Sequence, residues 1–125
     1  MEVARGWALA GSVAAFLGVA IGAFGAHGLG ETLPPERLAN WETGARYQMY
    51  HAFGLLAVSV AVARRPGSPA RHAGTAFVAG IVLFSGSLYA IALTGIRTFG
   101  AIAPLGGAAF LAGWGLLGWA AWRDR

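Results

Sequence analysis

Tyr47, Gln48 and His51 can each hydrogen-bond, and the imidazole can also titrate or ligate a metal, yet they stand close together inside an apolar stretch. On a helix they fall within an arc of about 100°, flanked by Gly44 and Gly54, and His51 lies about 10 Å below the nearer polar boundary. A polar face at that depth must look inward, because lipid offers it no partner. Ser85, Ser87 and Tyr89 reach a similar level on a later apolar run, and Ser85 and Tyr89, four residues apart, share a face. Pro104 arrives there on the last run, where its missing N–H would leave the Gly100 carbonyl free to accept a side chain or water. His27, at the end of the first run, completes the set. Two readings follow. The groups bond one another and fix helix register, at about 0.6 kcal/mol per interaction and up to about 2, or they line a small outward-facing polar pocket in which His27 and His51 titrate near neutral pH.

Other chemistry finds less support. Two imidazoles on neighbouring helices could hold a haem iron axially, but neither His27 nor His51 belongs to a metal-spacing motif, and Gly28 and Gly30 break the face between His27 and Glu31. No metal site or cofactor is expected, with haem or quinone kept as an alternative. His72 reads as a solvated loop residue. There is no nucleotide-binding loop and no G-x-S-x-G. The absence of cysteine excludes thiol chemistry. All five acidic residues lie outside the apolar runs, which argues against a carboxylate-coupled exporter. The expectation is a protein that is not an enzyme.

The elements that would position these groups follow from composition. With 57% hydrophobic and only 11% charged residues, against roughly 25% charged in globular domains, the 125-residue chain reads as a single all-α transmembrane domain, a four-helix bundle. The predicted spans are 6–26, 44–63, 73–94 and 99–122, each near the ~20 residues needed to cross the hydrocarbon. A cleaved signal peptide is the rival reading of the first run, which is longer than the usual h-region of roughly 7 to 15 residues. The stretch 27–43 is the main extramembrane loop, with Pro35 able to start a short interfacial helix. Residues 64–69 and 95–98 are predicted turns.

The net charge of +4 comes with nine basic residues, all arginine, scattered at the ends of the runs. They form no stripe for nucleic acid and read as topology signals. Arg5, Arg64, Arg65, Arg71, Arg123 and Arg125 share one side, and Arg37, Arg46 and Arg97 the other. The richer side is expected in the cytoplasm, placing both termini there and the 27–43 loop outside. Trp7, Trp119 and Trp122 would mark the inner interface and Trp41 the outer, with Trp114 deeper as packing. Glu42 and Arg46, four apart, are expected to form an interfacial ion pair.

Small residues define packing seams: Gly11, Ala15, Gly18, Gly22 and Gly25 in the first run, and Gly106, Ala109 and Gly113 in the last. Steps of three and four keep each set on one stripe, so backbones can approach closely. The seams serve packing within the chain or a homo-oligomer interface.

The runs GAFGAHGL (22–29), TGARYQMYHAFGLL (43–56), LFSGSLYAIALTG (83–95) and APLGGAAFLAGW (103–114) cover much of the chain. In this order they resemble domain-of-unknown-function family 423, small membrane proteins that include eukaryotic transmembrane protein 256. Ala103 stands where that family often has threonine before the proline. The resemblance implies a four-helix membrane protein and brings no activity, substrate or cofactor. The expected function is a structural or accessory component of the bacterial plasma membrane with the bilayer as its environment, alone or with a homo-oligomeric or membrane-protein partner. A transporter or channel for a small solute or proton and a haem- or quinone-binding protein are the alternatives.

Overall fold

A computed structural model describes residues 1–124; Arg125, counted above with the arginines of the terminal side, lies outside the described residues. The fold is all-α, with four helices: α1 (Glu2–His27), α2 (Pro35–Arg64), α3 (Ala70–Thr94) and α4 (Ala103–Arg123). Short 3-10 turns at Leu29–Glu31 and Arg97–Ala101 lie in the first and third connections. By length and composition three segments can cross a membrane: Glu2–Glu31, Ala70–Thr94 and Arg97–Arg123. The expected second span is not among them, because α2 carries the polar residues of the central cluster. It is also the helix with the most buried positions, including Trp41, Gln48, His51, Leu55 and Val58. Neighbouring helices shield what lipid would otherwise penalise.

Helix α2 is the hub. Helix α1 packs antiparallel along it, α3 packs on its other flank, and α4 packs mainly on α3. The buried residues of α1 are Ala4, Gly11, Gly18 and Gly25, a strict seven-residue repeat that keeps one seam facing one partner. A Cβ at Gly11 would lie 2.9 Å from the Ala52 carbonyl oxygen, and one at Gly18 would meet the Met49 side chain. Ala15 and Gly22 flank the seam half-buried. Gly106 and Gly113 do the same on α4: a Cβ at Gly106 would stand 2.7 Å from Phe84 Cα, and Gly113 faces the Phe77 ring. Ala109 is half-buried beside them. Both seams therefore bind helix to helix within the chain.

Several elements differ from expectation. Helix α2 runs unbroken for 30 residues, about 45 Å, so no separate interfacial helix precedes it and the first loop shrinks to 28–34. Pro35 sits at its first helical position, where a missing N–H costs nothing. The last helix starts at Ala103 rather than Phe99, and Pro104 falls in its first turn, where a missing N–H breaks no bond of that helix; Gly100 belongs to the preceding 3-10 turn. Helix α3 contains a π-helical segment at Ile81–Ser85, where its backbone meets Gly106.

The loops are tied down by side chains. Arg37 Nε donates to the Ala92 carbonyl (2.8 Å) in the last turn of α3, which ends on Gly95 at φ +73. Ser68 Oγ accepts from Ala70 N–H and donates to Asp124 (2.5 Å), which also pairs with Arg65 at 3.7 Å. The expected Glu42–Arg46 pair does not form; Glu36 pairs instead with Arg97 at 3.6 Å, since the connection after α3 brings Arg97 over the first turn of α2. Substituting Gly106→Ala should cost about 1–3 kcal/mol by overpacking. Gly107→Ala, with nothing within 4 Å, should leave thermal unfolding in detergent unchanged or slightly raised.

Candidate functional site

The side chains of α2 that point into the assembly are each matched by a group on a neighbour. Gln48, 4% exposed, donates through Nε2 to the Ala14 carbonyl of α1 (2.8 Å) and accepts at Oε1 from Tyr89 of α3 (2.7 Å). One amide thus joins three helices. Ser85 Oγ donates to the Gly44 carbonyl at 2.7 Å, and Gly44 makes room for the Tyr89 ring, which a Cβ would meet at 2.7 Å. Above them Trp41 Nε1 donates to the Ile21 carbonyl (2.7 Å), while its ring lies 4.9 Å from that of Tyr89. Nearer the terminal end Ser59 Oγ donates to the Ala4 carbonyl at 2.6 Å.

His51 is built differently. The Trp114 indole N–H of α4 donates to its Nε2 (3.0 Å), and its Nδ1 lies 2.6 Å from the Tyr47 carbonyl. An indole N–H only donates and a carbonyl only accepts, so the ring is neutral, with its proton on Nδ1. Phe110 stacks on it at 3.5 Å with planes 8° apart. Both nitrogens are therefore engaged, and a metal at Nε2 would have to displace Trp114. A groove of about 740 Å³ opens beside this ring between α2 and α4, lined by Tyr47, Tyr50, Phe84, Pro104, Phe110 and Trp114.

The structure thus joins Gln48, Ser85 and Tyr89 in one bonded set and places Tyr47, His51 and Pro104 on the α2–α4 groove. Ser87 is buried but bonds only its own helix, at the Phe84 carbonyl. His27 is exposed at the end of α1 and joins no hydrogen bond among the described residues. It ends the helix beyond Gly25, which packs on Trp41, and Trp41 is ten positions, about 15 Å, along α2 from His51. The two histidines therefore do not converge. No group of three or more His, Asp or Glu capable of holding a metal occurs among the described residues.

Sequence reasoning missed Trp41 and Trp114 as donors and Phe110 as a stacking partner. Trp41, expected at the outer interface, lies near the start of α2 and is 6% exposed because it packs on Gly25 and Tyr89. Gly107, Phe110 and Trp114 do share a face at steps of three and four, a signal hidden beside the small-residue seam of the same helix.

Comparison with known proteins now fixes the lineage. Residues 21–107 match the model of the family described as "Protein of unknown function (DUF423)". The chain belongs to this family. It is similar to UPF0382 membrane protein YwdK of Bacillus subtilis, 49% identical over 83% of this chain and 85% of that protein. It is also similar to UPF0382 membrane protein SSP2132 of Staphylococcus saprophyticus (46%, covering 86% and 88%) and to UPF0382 inner membrane protein YgdD of Escherichia coli (40%, covering 85% and 81%). No solved structure matches it. With its long apolar helices, this member of the family is a membrane protein. The matched span holds all of α2 and α3, hence Gln48, Ser85 and Tyr89, and stops short of Phe110 and Trp114.

If the Gln48–Tyr89 bond joins α2 to α3, a double-mutant cycle with Gln48→Leu and Tyr89→Phe should show a coupling of about 0.6 to 2 kcal/mol in detergent unfolding. Tyr50→Phe, on an exposed ring, should combine additively with either.

Proposed function

We propose that this protein is a non-enzymatic accessory component of the bacterial plasma membrane, a rigid four-helix unit that crosses the bilayer with α2 as its shielded central span. The observation that carries this reading is the pairing within the polar cluster: Gln48, Ser85, Tyr89 and His51 bond one another's helices or neighbouring carbonyls. Groups so engaged hold register and are not free to bind a hydrophilic solute, which favours a structural role over the transporter reading. The outward-facing polar pocket becomes, in this reading, the aromatic groove beside His51. That groove gives the quinone alternative its one support, since Tyr47, Phe110 and Trp114 line it with aromatic rings.

Both termini are cytoplasmic in this reading. Arg5, Arg64, Arg71 and Arg123 sit at one end of the helices and Arg37 and Arg97 at the other, and the richer end belongs inside. The relative from Escherichia coli is named an inner membrane protein, which supports the plasma membrane as location. With the small-residue seams engaged inside the chain, a homo-oligomer would use other exposed apolar faces, such as those of α1 and α4 with Phe16, Val19, Leu111 and Trp119.

Native mass spectrometry of protein released gently from its own membrane tests the role. Lipid alone is the expected extra mass, with liposome flux equal to that of empty vesicles. A discrete haem or quinone mass, or a flux lost in Gln48→Ala, would overturn it. Topology is checked separately, because the chain has no cysteine. An impermeant maleimide should label Glu31→Cys in intact cells and Pro66→Cys only after permeabilisation.

A further inference from the structure

Helices α1 and α3 are both held by α2 and meet each other mainly where Trp7 packs on Gly74, and two adjoining cavities lie along the cleft between them. At the end that carries both termini it is a pocket of about 430 Å³ lined by Val3, Trp7, Arg71, His72 and Thr75. It runs on as a groove of about 730 Å³ walled by Leu9, Val13 and Leu17 of α1 and Val78 and Val82 of α3. Gly6 and Ala10 line both cavities, so the two adjoin. The part at the terminal end carries Arg71, His72 and Thr75 at its mouth, and the deeper part is almost wholly apolar.

The basic groups at the mouth have no internal counter-charge. Arg71 and His72 are exposed, and neither belongs to an ion pair among the described residues. Arg5, Arg64 and Arg123 lie at the same end but, like Glu2, outside the pocket lining, and Asp124 is engaged by Arg65 and Ser68. Trp7 lines the pocket: its indole packs on Gly74, and its Nε1 is buried with no partner among the described residues. At the deep end Gln48 and Tyr89 border the groove with their polar atoms already bonded to each other.

We propose that this cleft is a binding site for one anionic phospholipid, its phosphate held by Arg71 and His72 and one acyl chain laid along the groove between α1 and α3. A basic pocket between transmembrane helices that opens onto an apolar groove has the charge and shape of such a molecule. The length also fits. From Gly6 to Ile21 the groove follows α1 for about 22 Å, more than the roughly 15 Å of one leaflet's hydrocarbon. A helix of a second copy fits less well, because close helix approach needs small residues at the contact. Gly6, Ala10, Ala14 and Gly86 do line the groove, but Leu9, Val13, Leu17 and Val82 stand exposed around them, and Gly11, Gly18 and Gly25 face α2.

The test is native mass spectrometry of the full chain in detergent, titrated with phosphatidylglycerol and with phosphatidylcholine of the same acyl chains. Phosphatidylglycerol should be retained about tenfold more tightly, and the preference should vanish in the Arg71→Gln, His72→Gln variant. Gly6→Leu should weaken both lipids while leaving lipid-free thermal unfolding unchanged, since nothing lies within 4 Å of a Cβ there. Equal retention of the two lipids, or a preference that survives the double substitution, would overturn the proposal. So would a dimer that Gly6→Leu dissociates, because the groove would then belong to a second copy.

Discussion

An amide side chain in the middle of an apolar assembly must find its partners in the protein, since hydrocarbon supplies none. Gln48 meets that demand with both ends of its amide, donating to a carbonyl of α1 and accepting the hydroxyl of Tyr89 on α3. Each bond contributes little net free energy, because the unfolded chain in a membrane also finds partners. The geometric consequence is larger. A slip of either neighbour by one residue would leave a buried polar group unpaired, so the amide fixes both α1 and α3 against α2 in one register.

That arrangement depends on how close the helices come. The seven-residue repeat of Ala4, Gly11, Gly18 and Gly25 brings α1 near enough for Trp41, Gln48 and Ser59 to reach carbonyls on its backbone. Helical carbonyls retain a second lone pair, so these contacts need not break the helix they touch. On the other flank Gly44 admits the Tyr89 ring, and Gly106 receives the π-helical turn of α3. Glycines and donors are therefore two halves of one design: the first sets the distance, the second uses it.

The same geometry explains the clefts. A helix seated this tightly on α2 along one narrow stripe meets α3 mainly through Trp7 against Gly74, and α4, seated on α3, leaves the His51 side of α2 partly open. Two grooves follow, one beside each outer helix, with different chemistry. The α2–α4 groove is largely aromatic, whereas the α1–α3 groove is aliphatic with a basic mouth. Polar satisfaction inside and apolar grooves outside are the division expected where lipid is the solvent.

Much of this was legible in the sequence where the free energy is a sum over many residues. The apolar runs, the turns at 64–69 and 95–98, the glycine seams and the shared depth of Gln48, Ser85 and Tyr89 follow from transfer free energies and helical periodicity, neither of which needs a tertiary partner. Pairing is another matter. Whether His27 meets His51, whether Arg46 or Arg97 takes a glutamate, and whether Trp114 packs or donates depend on distances between segments that the chain order leaves free. The sequence by itself determined which segments shun water and which faces must turn inward. Only the tertiary structure decided which donor meets which acceptor, because a hydrogen bond is made or lost within about an ångström while hydrophobic burial is not.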